Sequence, residues 1–253
     1  MTYERNLMSE TFYLFFILIF IAAGLVKGIT GMGLPTVAMG LLSILLPLPV
    51  AAALLVIPSL VTNVWQLFSG PSLIGILRRL WLMMLFIMLG TIGGAALLMS
   101  IDPSWSSFGL GIALIFYAGY ALLSPVFIVP RKAEKWLSPA IGGITGLVTG
   151  ATGVFVMPAV PYLQSLNFSK DELIQALGLS FSISTIALAI GLFMHSSFHF
   201  EQLSLSAVAI VPALLGMWVG QKIRAKISPK RFRQFFLLFL VILGLELILR
   251  PFL

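Results

Sequence analysis

The sequence predicts an all-α integral membrane protein of two inverted repeats, each a broken or re-entrant helical hairpin followed by three transmembrane helices, eight to ten segments in all. Three observations predict it: a shortage of charge, long uncharged stretches, and a sequence that repeats itself. Of 253 residues, 60% are hydrophobic and 9% charged, where a soluble domain carries roughly 25% charged residues. Uncharged runs extend over Gly28–Leu77, Pro103–Pro130, Trp136–Ser169 and Leu173–Phe200. A spanning helix needs about 20 apolar residues, and in hydrocarbon every backbone group must be bonded within the segment, which dictates helices.

In chain order, the first ten residues are polar, with Glu4 and Glu10 ahead of the apolar run. Acidic residues there and the lack of a small-residue cleavage site read as a retained start, not a removed signal peptide. The first repeat (1–130) opens with a glycine- and proline-interrupted region over 11–47, then spans at 49–69, 80–101 and 105–128. The second (131–253) opens with a similar region at 138–165, then spans at 172–194, 203–221 and 234–251. The two repeats form one membrane domain, with no soluble domain appended. The 37 residues of the first opening region are too many for one span and too few for two comfortable ones. Glycine frees the backbone and proline removes a donor, so the helix breaks there. Each opening region reads either as two short crossings or as a re-entrant loop.

The duplication rests on two matches in register. Gly24–Gly31 reads GLVKGITG and Gly146–Gly153 reads GLVTGATG, six of eight positions agreeing, with Pro35 and Pro158 close behind. Gly90, Gly94 and Pro103 are echoed by Gly216, Gly220 and Pro229. Charge then sets the orientation. If each opening region crossed once, the loop cations would divide seven against seven. If both are hairpins, twelve lie on one face and only Arg5 and Arg250 on the other. By the positive-inside rule the rich face is cytoplasmic, so the halves are inverted and both termini lie outside.

Inverted repeats with discontinuous helices are a transporter architecture. A helix broken at depth leaves free N–H groups and a partial positive charge, an anion site. The candidate substrate-binding residues are therefore those at the two breaks: Lys27, Gly28, Thr30, Gly31, Gly33 and Pro35, and Gly150, Thr152 and Gly153. The following spans add Asn63 and Gln66, three apart on one face, and Ser184 and Thr185, where Asn63 maps onto Thr185 at an offset of 122. Lys27 is either an anion contact or a lysine that snorkels to the headgroups. The threonines either face substrate or bond the preceding turn, and Asn63 and Gln66 either bind an oxyanion or hold helices together.

Several other groups read more simply. Glu246 and Arg250, at i and i+4, are expected to pair. His195, His199 and Glu201 flank a short loop, with no metal site assigned. The basic run from Lys222 to Arg233 is expected to anchor to lipid headgroups, and the five tryptophans to sit at the membrane interfaces. The net charge of +7 lies between apolar segments, where topology explains it, so no nucleic-acid partner is expected. Cysteine is absent, which excludes disulfides and thiolate chemistry. No phosphate loop, HExxH or GxSxG occurs, so neither ATP coupling, an enzyme, nor a cofactor is expected.

GLVKGITGMGLP at Gly24–Pro35 and GLVTGATGVFVMP at Gly146–Pro158 resemble the duplicated glycine-rich motif of the sulfite exporter TauE/SafE family. The likeness extends to length, motif position in each half and the short hydrophilic loops. It implies a multi-pass permease of the bacterial inner membrane, an exporter of a small sulfur-containing or organic anion such as a sulfonate or carboxylate. The family pattern carries a fuller glycine block; here it is reduced to Gly31-Met32-Gly33 and to Gly153 alone. The expected function is secondary transport by alternating access, driven either by the proton gradient, with protons as the coupling ion, or by the anion's own gradient. A cation or neutral-solute permease and a non-transporting subunit of a membrane complex are the alternatives.

Overall fold

The computed structural model describes residues 10–123, 128–195, 200–224, 226 and 229–252, and every regular element among them is helical. In chain order these are α1 (Glu10–Thr30), α2 (Leu34–Leu45), α3 (Leu48–Phe68), α4 (Leu73–Ser100), α5 (Pro103–Leu123) and α6 (Arg131–Thr152). They continue with α7 (Ala159–Ser165), α8 (Lys170–Met194), α9 (Phe200–Val208), α10 (Ile210–Arg224), α11 (Pro229–Leu249) and a final 3-10 turn at Arg250–Phe252. Six helices, counting α9 and α10 as one, are long and apolar enough to cross a membrane. The chain is thus a multi-pass membrane protein.

The helices break where the sequence requires it, but the arms are unequal. α1 ends at Gly31, φ +80°, and α2 is capped by Gly33, φ +101°, both left-handed conformations that favour glycine. Pro35 then occupies the first turn of α2, where its missing N–H costs nothing. α6 ends at Gly153, φ +70°. The leading arms are not short crossings: α1 has 21 residues and α6 has 22. The return arms, 12 and 7 residues, rise only about 18 and 10 Å, short of a hydrocarbon core of about 30 Å. Each opening region is therefore one long helix followed by a short one. α6 also starts at Arg131 rather than near 138, because Arg131, Lys132, Glu134 and Lys135 fill its first turns and conceal it from a hydropathy reading. The span expected at 203–221 is two helices that meet at Ala209.

Hydrogen bonds fix which helix ends lie together. Gln66 near the end of α3 donates to the carbonyls of Gly31 and Ile174, at 2.8 and 3.0 Å. Arg79, early in α4, forms a two-pronged bond to Glu134 in the first turn of α6, at 2.7 and 2.8 Å, and donates to the Leu166 carbonyl. One face thus gathers the ends of α1, α3 and α7 and the starts of α4, α6 and α8. It carries Arg78, Arg79, Arg131, Lys132, Lys135 and Lys170, and is called the basic face below. At the other face Arg250 donates to the carbonyls of Ser43 and Ile44 at the end of α2. This corrects the expected pairing with Glu246: an orphaned helix-end carbonyl is a nearer and better-placed acceptor. The tryptophans are exposed, from 54% at Trp218 to 82% at Trp136, as anchors at a lipid interface are.

Glycines bring several helix pairs into close contact, two of them through the opening motifs. α1 lies on α10: a Cβ on Gly24 would stand 2.2 Å from the Ala213 carbonyl oxygen, and one on Gly28 equally close to that of Met217. From the other side, a Cβ on Gly216 would meet the Ile21 oxygen at 2.1 Å. α6 lies on α4 in the same way, Gly146 and Gly150 against Ile87 and Thr91, and Gly94 against Leu147. Small residues four apart let backbones approach where lipid offers no hydrophobic driving force.

Candidate functional site

The two breaks are closed by one device. Thr30 Oγ1 donates to the Val26 carbonyl at 2.9 Å and accepts from the Met32 N–H at 3.2 Å. Thr152 Oγ1 donates to Val148 at 2.7 Å and accepts from the Val154 N–H at 3.3 Å. Each hydroxyl satisfies the backbone where the helix stops, and Thr30 also lines the larger cavity.

Lys27 lies one turn before the first break and is 2% exposed. Its ammonium donates to Thr62 Oγ1 at 3.1 Å and to Asn63 Oδ1, so it is turned into the bundle and does not snorkel. Asn63 in turn donates to Thr185 Oγ1 at 3.3 Å, and Thr185 to the Phe181 carbonyl at 2.7 Å. The residues matched by the repeat offset, Asn63 and Thr185, are thus in direct contact between α3 and α8. Both of its bonded partners are neutral, so neither bond supplies a counter-charge for the buried amine. At the second break Thr149, which takes the place of Lys27, bonds the Val154 carbonyl at 3.2 Å.

The other expected residues divide. Gln66 ties the first break to α8, while its Oε1 is buried without a protein partner, as is the hydroxyl of Ser184. Gly28 and Gly150 are explained by helix contact, and Gly33, Pro35 and Gly153 by capping geometry. Gly31 alone of the break glycines has room for a side chain, since a Cβ there would meet nothing nearer than Gln66 and Ile174 at 3.9 Å. His199 and the Glu201 side chain, from the histidine cluster, lie outside the described residues.

What the sequence reading missed is the cavity between the breaks. It measures about 610 Å³ and is lined by Thr30 and Met32 of the first break and by Met157 and Pro158 of the second. Its walls come from α5, α6, α7 and the start of α11, and Gln164, Ser165 and Arg224 sit at the basic-face ends of their helices. Tyr162 Oη pairs with Ser138 Oγ at 2.7 Å, and Tyr117 Oη reaches Met32 Sδ at 3.4 Å. A smaller cavity of about 210 Å³ lies on the other side of the first break, reached by Lys27, Gly31, Gln66, Asp171, Gln221 and Arg224. Arg224 therefore borders both. Its position was legible: Gly216, Gly220 and Arg224 are spaced by four, and the two glycines face α1. A stripe that meets α1 at the glycines carries the arginine past the break. The run of cations around it drew the headgroup reading instead. Gln175, also unforeseen, holds the α3–α4 turn through Leu67, Gly70 and Ser72.

A bundle of membrane-length helices, two of them broken at the walls of one cavity, has the architecture of a membrane transporter. The comparison with known families is specific: the chain belongs to the sulfite exporter TauE/SafE family, whose model matches residues 16–247. Members of this family are membrane transporters and not enzymes. No curated protein and no solved structure matches the chain.

Proposed function

We propose that this protein is a secondary transporter that exports a small organic or sulfur-containing anion by alternating access. The observation that carries the reading is that both helix breaks wall one cavity of about 610 Å³, whose lining among the described residues includes one charged side chain, the cation Arg224. The reciprocal contacts support two inverted repeats: the glycines of the first opening motif pack on the second half, and those of the second on the first. The clustering of loop cations on one face favours a cytoplasmic position for it, with both termini outside, in the plasma membrane of a bacterium. With its rim at the basic face, the cavity would then be the inward-open site. For the coupling proton, Lys27 is the buried amine beside the first break, and losing or gaining a proton there changes the charge next to Arg224 and the smaller cavity.

Flux tests the reading. Liposomes containing only this protein should release a preloaded sulfonate or carboxylate, faster with a proton gradient imposed, and Lys27→Gln should remove the acceleration. Retention of every anion, with the protein folded, would leave the subunit reading standing; release of cations or neutral solutes alone would favour the other permease.

A further inference from the structure

We infer that Arg250 is a releasable latch on the short helix α2, and that Glu246 receives its guanidinium when α2 moves. This rests on the alternating-access reading above, to which it adds a moving part and its fastening.

The sequence explains why α2 needs a fastening. Four residues after Ser43, in the last turn of α2, stands Pro47, which has no N–H to give. The Ser43 carbonyl therefore lacks its helical donor, and the Ile44 carbonyl lies in the same final turn, where helix carbonyls are left over. Arg250 serves both, donating from Nη1 to Ser43 at 2.9 Å and from Nη2 to Ile44 at 3.0 Å. The turn that carries the arginine is itself held, with the Phe252 ring edge-on to Phe108 of α5 at 6.3 Å. When the latch opens, α2 is the side that leaves.

The other end of α2 is a hinge. Gly31 and Gly33 flank Met32 there at φ +80° and +101°, backbone that absorbs a change of direction readily. Met32 lines the cavity of about 610 Å³, so a swing of α2 about the two glycines moves the cavity wall.

A comparison singles out Arg250 as the fastening that opens. The second short helix, α7, also ends on an arginine, since Arg79 donates to the Leu166 carbonyl at 2.9 Å. Arg79 is tied down further by its fork on Glu134, at 2.7 and 2.8 Å, and by the Phe168 ring, 4.4 Å away. Forked bonds to a carboxylate are the strong ones, whereas both bonds of Arg250 go to neutral carbonyls. Its carboxylate is held in reserve. Glu246 stands one turn earlier on α11, exposed, and among the described residues it has no partner. At i and i+4 the two side chains are within reach, so one cation has two resting places.

The test exploits the absence of cysteine. Leu45→Cys at the end of α2 and Ile242→Cys on α11, both exposed positions, carry spin labels on the full chain in lipid nanodiscs. Pulsed electron resonance then reads the distance between them, and a short and a longer population are expected. Arg250→Met should raise the ratio of long to short about tenfold, through loss of two bonds from a charged donor. Glu246→Gln should lower it about threefold, the scale of an exposed ion pair. Opposite shifts from residues one turn apart are not produced by a general loss of stability. A single distance in wild type, or shifts of the same sign, overturns the inference. If Arg250→Met does not fold, Glu246→Gln decides alone: a lowered ratio sustains the latch and an unchanged one overturns it. Counterflow of a sulfonate keeps the two readings apart. Distances that shift as expected in a protein without flux sustain the latch and overturn transport, whereas flux through a protein with one distance sustains transport and overturns the latch.

Discussion

The two helix breaks share a closing device and differ in their surroundings. Thr30 and Thr152 make the same pair of bonds, back to the fourth preceding carbonyl and from the second following N–H. Around the first break stand Lys27, Asn63, Gln66 and a small cavity shared with Arg224. The second has Thr149 bonded to its own loop, and Met39 so close that a Cβ on Gly153 would stand 2.9 Å from it. One break is wired into a polar network, and the other has Met39 beside its glycine and a local bond in place of the lysine. The difference teaches that the same backbone mechanics serve both breaks while charge stands at one of them. Under this account, the second break is a structural counterpart and the first is where charge and solute meet.

The comparison can be broken or sharpened by paired substitutions. The largest effect is expected where the halves are alike: Gly28→Val and Gly150→Val should each cost about 3 kcal/mol, the upper end for overpacking. The reason is that a Cβ would lie 2.2 and 2.4 Å from carbonyl oxygens of the neighbouring helix. Thermal unfolding in detergent measures this, and one tolerant site would undo the claim of equivalent helix contacts. Next, Lys27→Gln should slow anion flux into liposomes at least about tenfold, a barrier change of about 1.4 kcal/mol. Thr149→Val should leave flux within about twofold of wild type; equal losses would show that charge at the first break is not special.

Smaller effects separate the glycines. Ala at Gly31 or Gly153 incurs the left-handed penalty of about 1–2 kcal/mol. Gly153→Ala should cost more, since a Cβ there would stand 2.9 Å from Met39 and the nearest atom to a Cβ on Gly31 is at 3.9 Å. The reverse order of stabilities would contradict the description of Gly153 as the more crowded glycine. Smallest, Thr30→Val and Thr152→Val should each lose about 1 kcal/mol, the worth of an ordinary hydrogen bond, and by the same amount within error of chemical unfolding.

Much of this was legible in the chain itself, because membrane insertion, helix interruption and close helix approach are local demands. Charge shortage and run length foretold helices; Gly31, Gly33 and Gly153 foretold the breaks, and their positive φ angles are the physical reason. The polar contacts were partly legible: the offset that aligned Asn63 with Thr185 identified residues that touch. Sequence could not show that Gly28 and Gly150 also admit a neighbouring helix, since a glycine that admits a ligand and one that admits a helix look identical in one chain. The cavity was hidden for a different reason. Tyr117, Tyr120 and Tyr162 lie on three-dimensional walls assembled from helices far apart in sequence, and no spacing within one segment announces such a surface. The start of α6 was obscured because four charged residues at a helix end resemble a loop.

The absence of cysteine makes one experiment especially direct. Gln164→Cys places a thiol at the basic-face end of the cavity, and a membrane-impermeant maleimide reports its access from either side of sealed vesicles. The account predicts labelling from the cytoplasmic side, slowed severalfold by a transported sulfonate, with that protection lost when Arg224→Gln is added. Labelling that is equally fast with and without every anion carried by the protein would contradict the claim that this cavity is the anion site.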